Sequence, residues 1–326
     1  MKTPMLFDFA SSELAKETFI CWLLSWASPE YKGTHASLHE CAKKVIHTFF
    51  EKHKITSPTE LKIVEVIKPD KDIDVLCIVN EEYPIIVKGK IATLVHKYQF
   101  EACLNESKSR MYDKDKILPV YFDTCDHGDY SAVKKEGYEL FLRSELLSIM
   151  NEFQDIKNDI FTDYHQHLQC IENKSNSYLT LPLSAWNFNS WSGFFMELQK
   201  SCDGAWRLEY NPKDGEYFCF QFACFNDIAY LQLEANKLYF KIKVEDDNKS
   251  EKRLKWHSAL INKADVLGIE LLRPKKFGSG TYMTVCILKD DYRKTKDNQI
   301  IDMQKTLENI NKAVSLVKSV KPDDVK

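Results

Sequence analysis

The chain has 326 residues, 44% of them hydrophobic, and 45 Lys and Arg against 48 Asp and Glu, a formal charge of −3 at neutral pH. That length and apolar content allow one large core or two ordinary ones without disulfide support, and the near-balanced charge gives no global field for a polyanion or an anionic membrane. Ten cysteines occur singly, with no C-x-x-C and no metal spacing beside histidines, which excludes a disulfide framework and a zinc finger and points to reduced thiols in the cytosol. The N-terminal stretch lacks an uninterrupted apolar run, and no window reaches the roughly 18 apolar residues of a membrane span, so a cytoplasmic, non-exported protein without membrane segments is expected.

In chain order, residues 12–27, SELAKETFICWLLSWA, predict a buried helix capped by Ser12, its apolar surface being too wide for a solvated one. A second helix over about 35–53 carries Leu38, Ala42, Val45, Ile46 and Phe49 at helical spacing. LKIVEVI, IDVLCIV and YPIIV then read as three successive strands, near-continuously apolar and so covered on both faces. A helix over 93–110 and a fourth strand at KILPVYFD follow. From about 131 to 201 helices dominate, including SELLSIMNEF starting at Ser144 and NDIFTDYHQHLQCI after it. Antiparallel strands return at AWRLEY, YFCFQFA, IAYLQLE and KLYFKIKV, the last two joined around Ala235-Asn236. A helix near 250–264, a strand at TYMTVCILK and a helix near 298–318 complete the chain, and the polar segment ENKSNS at 172–177 is the expected boundary between two domains.

The informative stretch is DIDVLCIVNEEYPIIVKGKI, residues 72–91. A turn centred on Glu81 sets Asp74 opposite position 88 in an antiparallel pair, and position 90, two residues on, shares that face. Three polar groups thus converge beside apolar strands, where an unpartnered charge is costly. Two carboxylates and a lysine held this way suit metal-assisted hydrolysis of a phosphodiester: the acids hold Mg²⁺, which lowers the pKa of a bound water, while the lysine orients that water or steadies developing charge.

Acid followed on the next strand by acid-x-Lys resembles the PD-(D/E)XK nuclease superfamily, and the chain is similar to a bacterial family of such nucleases over about residues 13–290. The resemblance implies an α/β, restriction-endonuclease-like core, a mixed sheet flanked by helices, over 1–175, with a C-terminal α+β antiparallel-sheet part over 176–326. It further implies a metal shell of Glu17, Asp74 and the residue at 88, with Lys90 assisting the attacking water and Gln99 positioning water, phosphate or Lys90. Mg²⁺, replaceable by Mn²⁺, would be the cofactor, and nucleic acid, DNA before RNA, the partner, in bacterial defence. Asp70 and Asp72 remain alternatives to Asp74 as the ligand.

The chain departs from that pattern at one letter, because Lys88 stands where the acid belongs. Glu17, Asp74, Lys88 and Lys90 sum to zero formal charge instead of the minus two that suits a divalent cation, and an ammonium has no lone pair for a metal. Metal binding should be weak or absent, with Lys88 pairing with Asp74 or Glu17, and cleavage should be lost. Because the other site residues are intact, Lys88 is read as an engineered acid-to-lysine change silencing a nuclease. A naturally degenerate binding or assembly module and an RNA-cutting toxin are the alternatives, and solvated Lys88 and Lys90 on an ordinary hairpin is the plain one. A protein partner or a homo-oligomer is also possible.

Elsewhere, Lys237, Lys241 and Lys243, with Arg273, Lys275, Lys276 and Tyr282, interleave bases with aromatics as a phosphate- and base-contacting surface would. An exposed strand edge kept soluble by lysines reads equally well. His165 and His167 point to different faces of a solvated helix. Cys219 and Cys224 read as small apolar groups, the FGSG at 277–280 as turn glycines, and Trp22, Trp26, Trp186 and Trp191 as core.

Overall fold

Alternation of period two and of period 3.6 builds two sheets and the helices that cover them. The structure, a computed structural model, describes residues 6–9, 13–67, 75–89, 112–211, 215–225, 228–245 and 247–325. The chain is mixed α/β, with one mixed and one antiparallel sheet, and divides into two compact units: residues 1–125 with 130–173, and residues 126–129 with 174–326. Among the described residues no helix is long and apolar enough to cross a membrane.

The first unit opens with α1 (Leu6–Phe9), α2 (Glu13–Ser25) and α3 (Ala36–Lys52). On α3 the predicted stripe of Leu38, Ala42, Val45, Ile46 and Phe49 is fully buried. The Leu38 N–H donates to His35 Nδ1 at 3.3 Å, satisfying one of the first-turn donors. The sheet comprises β1 (Val64–Ile67), β2 (Val75–Val79), β3 (Tyr83–Lys88), β4 (Leu118–Asp123) and β5 (Glu139–Leu142), in the order β1-β2-β3-β4-β5. β1, β2 and β3 form an antiparallel meander, whereas β3, β4 and β5 run parallel. Between and after the last two strands come α4 (Ser131–Lys135), α5 (Arg143–Glu152) and α6 (Asp159–Ser175).

The β2–β3 turn is centred on Glu81 as expected: Val79 pairs with Tyr83, and Asn80 and Glu81 take φ of 52° and 58°. Asn80 is one of the residue types that tolerate that left-handed backbone, and its amide ties the turn to the segment before β1. Its Oδ1 accepts from Lys62 N and Ile63 N at 2.8 and 3.1 Å, and its Nδ2 donates to Glu60 O at 2.9 Å. Val75, Cys77, Ile85, Val87, Val120 and Phe122 pack on one side with Ile20, Leu24, Phe49 and Leu146 from the helices. Leu76, Ile78, Ile86 and Tyr121 pack on the other with Val133 and Tyr138. Each such side chain contributes roughly 1.5–3 kcal/mol by leaving water.

Three expectations for this unit are corrected. β1 is an edge strand and only half-buried, not covered on both faces, and it starts at Val64 instead of Leu61. Helices dominate from 131 to 201 as expected, but a strand was missed: Glu139–Leu142, too short for its period to show, enters the sheet as β5 through parallel pairing with β4. α5 starts at Arg143, not Ser144, because the Leu142 N–H is satisfied by Glu145 Oε2 at 2.9 Å. The boundary expected at 172–177 falls where the first unit ends at Asn173 and the second resumes at Lys174, inside the end of α6 and just before a 3₁₀ turn, Asn176–Leu179.

In the second unit α7 (Phe188–Ser201), α8 (Lys249–Val266) and α9 (Met303–Ser319) accompany a sheet of β6 (Gly204–Asn211), β7 (Gly215–Phe222), β8 (Ala229–Glu234), β9 (Lys237–Lys243), β10 (Leu271–Leu272) and β11 (Tyr282–Leu288). The strand order is β10-β11-β9-β8-β7-β6, antiparallel throughout. Along β9, Leu238, Phe240 and Ile242 are buried with Phe194, Leu198, Trp256 and Ile310, and the alternate residues Lys237, Tyr239, Lys241 and Lys243 face away from that core. The β8–β9 turn falls at Ala235-Asn236 as expected, with Ala235 at φ 46°. The last helix begins at Met303, not near 298, because Thr295 bridges Ile301 and Asp302 Oδ1 accepts from Lys305 N at 3.1 Å.

Candidate functional site

The carboxyl ends of parallel strands leave a crevice where the next segments diverge, and polar groups gathered there are poised for ligands. In the first unit β3 ends at Lys88, β4 at Asp123 and β5 immediately before Arg143, and all three side chains are buried, at 1%, 2% and 6% exposure. Lys88 is in register with Tyr121 of β4. Two neighbours from α2, Lys16 and Glu17, are each only 9% exposed. Glu17 lies on the same helical face as Ile20, Cys21 and Leu24, and its burial is the anomaly expected of it.

Lys16 ties the helix to the strand ends. Its Nζ donates to Gly89 O at 3.4 Å and lies 3.8 Å from Asp123 Oδ1 and 5.9 Å from the centre of the Phe122 ring. Gly89 suits this approach, since a Cβ there would stand 3.1 Å from Lys16 Cε. Asp123 accepts from Cys125 N at 2.9 Å and from the Tyr130 hydroxyl at 3.2 Å. Arg143 donates from Nη1 to Thr124 O and from Nε to Glu172 Oε2, both at 2.8 Å. Glu17 and Lys88 are not isolated either, as the cost of a buried charge requires.

Of the residues expected to form the metal site, Glu17 and Lys88 both fall at this end of the sheet. Asp74, Lys90 and Gln99, the alternatives Asp70 and Asp72, and the helix expected over 93–110 lie outside the described residues. The hairpin register is described up to Val75↔Val87, the step next to the expected pairing of 74 with 88. Lys88 itself is not solvated, so an ordinary hairpin with both lysines in water is overturned at this position.

Sequence reasoning missed Lys16, Asp123, Arg143 and Glu172. An acid closing the apolar run LPVYFD is the one local signal that marks Asp123 as the end of a buried strand. Among the described residues no group of three His, Cys, Asp or Glu could hold a metal ion. The described donors do not fit Mg²⁺ either: Lys16 and Lys88 bring two ammonium groups to an end of the sheet that offers Glu17 and Asp123.

Burial pushes the Cys41, Cys77 and Cys219 thiols up to about 12, and Cys286, beside His257 Nδ1 at 3.3 Å, likewise to about 12, so none of these four is a thiolate at neutral pH. Cys219 is the small buried group expected, but Cys224 is exposed. His165 bonds to Asn151 Oδ1 at 2.7 Å, while His167 packs beside Phe7 and Tyr164, so the two serve different sides of α6.

In the second unit the expected basic surface divides. Lys241 lies 3.8 Å from Glu234 and donates to Gln232 Oε1 at 3.1 Å, and Lys243 pairs with Glu245 at 2.7 Å. Lys275 and Lys276, in the β10–β11 connection, line a groove with Lys237 instead. Trp22, Trp26, Trp186 and Trp191 all pack against the cores. No protein-family model, curated protein or solved structure matches the chain.

Proposed function

We propose that the first unit is a PD-(D/E)XK-type nuclease core for DNA, with a restriction-endonuclease-like sheet, in which Lys88 replaces a metal-binding acid and leaves the chain without cleavage activity. The observation that carries this reading is the burial of Lys88, 1% exposed, at the carboxyl end of β3 and in register with Tyr121, two residues before the buried Asp123 that Lys16 of α2 pairs with. The β2–β3 register supports it, because one further step along that ladder would set Asp74 opposite Lys88. Two ammonium groups among the acids neutralise the charge that would otherwise attract a divalent cation.

The test is cleavage of plasmid DNA, single-stranded DNA and RNA by this protein beside Lys88→Glu, each with Mg²⁺, Mn²⁺ or EDTA. Only Lys88→Glu should cut, EDTA should stop it, and the substrate consumed would distinguish a DNA nuclease from an RNA-cutting toxin. If Lys88→Glu folds with an unchanged thermal midpoint and cuts none of the three, the nuclease reading falls. A non-catalytic binding or assembly module, with Lys16 and Asp123 serving as structure, then takes its place.

A further inference from the structure

Three lysines of the antiparallel sheet stand apart from its other basic residues. Lys241, Lys243, Lys289 and Arg207 each have a carboxylate partner, in Glu234, Glu245, Glu270 and Glu209. Among the described residues Lys237, Lys275 and Lys276 have none. All three line one groove of about 650 Å³, where β9 begins, β11 ends and the β10–β11 connection crosses.

Arg273 lines the same groove, with its guanidinium 4.6 Å from the Phe277 ring centre and no hydrogen-bond acceptor among the described residues. The opposing charge is small. Asp291 is committed to Arg293, which donates to it from Nη2 at 2.7 Å and from Nε at 3.1 Å, so Asp290, beside the Glu270-paired Lys289, is the carboxylate left in a groove with four cations unpaired among the described residues. Like charges held round one concavity repel one another, and a bound anion relieves that repulsion. The half-buried Tyr239 supplies an aromatic face in the groove, and the volume is that of a small-ligand site.

We propose that this groove binds the phosphate groups of a nucleotide, free or within a single strand, with Lys237, Arg273, Lys275 and Lys276 holding phosphate and Tyr239 against the base. The inference concerns the second unit alone and does not rest on the nuclease reading, since binding here needs no metal and no cleavage.

The full chain is titrated, in EDTA, with a fluorescein-labelled single-stranded oligodeoxynucleotide and separately with ATP. The double variant Lys275→Ala/Lys276→Ala should weaken binding on the order of 10-fold and, for the strand, flatten the salt dependence by about 1.4 in log–log slope, roughly 0.7 per lost contact. Asp290→Asn should tighten binding, an effect that misfolding cannot mimic, and Lys243→Ala, whose lysine is already paired, should bind as the parent does. Affinity for the strand alone names a polymer, and affinity for ATP alone a free nucleotide. The proposal is overturned if the parent binds neither probe, if Lys243→Ala weakens binding as much as the double variant, or if Asp290→Asn changes nothing.

Discussion

Lys88, Asp123 and Arg143 in the first unit are 1%, 2% and 6% exposed, whereas the Lys243–Glu245 pair of the second keeps 38% and 73% of its side-chain surface in water. Both regions place charge on a sheet, but the solvent differs. A buried ion has exchanged its hydration for a fixed set of partners, so Asp123 is held by Cys125 N, the Tyr130 hydroxyl and Lys16 at once. A surface pair keeps most of its hydration and gains little from its partner. Buried charges mark where the fold has committed to a geometry, and unpaired exposed ones mark where it can still accept a ligand.

The largest effect separating the two regions is expected at Asp123. Asp123→Ala strands Lys16 and the two other donors in a dry site and should cost about 3–5 kcal/mol, read as a lower urea midpoint at unchanged m-value. A loss under 1 kcal/mol would mean that the strand-end charges are in effect solvated, and the contrast would collapse. Lys243→Ala, by comparison, should cost less than about 1 kcal/mol in the same experiment.

The smallest effect is with pH. Burial lowers the pKa of His47, with Lys43 adding to it, and burial lowers that of His165. Both imidazoles therefore prefer to be neutral in the fold, and the unfolded chain binds more protons as pH falls below about 6.5. Their contribution is complete above that pH and is lost as pH drops towards the depressed folded values. Stability should therefore fall between pH 7 and 5, and the double variant His47→Gln/His165→Gln should show a smaller fall over the same range.

Much of the fold was legible because it is written locally. The stripe on α3, the apolar runs of β2, β3 and β4, the turn at Glu81 and the alternation along β9 each specify an element and its buried face within a few residues. β5 was not, since four residues beside a strong helix carry too little period, and only pairing with β4 makes Glu139–Leu142 a strand. The candidate site was legible in part for the same reason. The spacing around position 88 and the acid at 17 on an apolar helix face are local patterns that could be read along the chain.

Lys16 meeting Asp123, and Arg143 meeting Glu172, could not be read that way, because each pair joins elements that are neighbours only once the parallel strands are in place. The same holds for the basic surface of the second unit, where composition grouped Lys241 and Lys243 with Lys275 and Lys276. The sequence by itself determined most of the strands and helices, β5 excepted, and that position 88 carries a cation where an acid was expected. Only the tertiary structure decided that this cation is buried, that Asp123 and Lys16 lie at the same strand ends, and that Lys237, Lys275 and Lys276 have no carboxylate partner among the described residues. Burial and pairing depend on residues far apart in the chain, whereas periodicity depends on near neighbours alone.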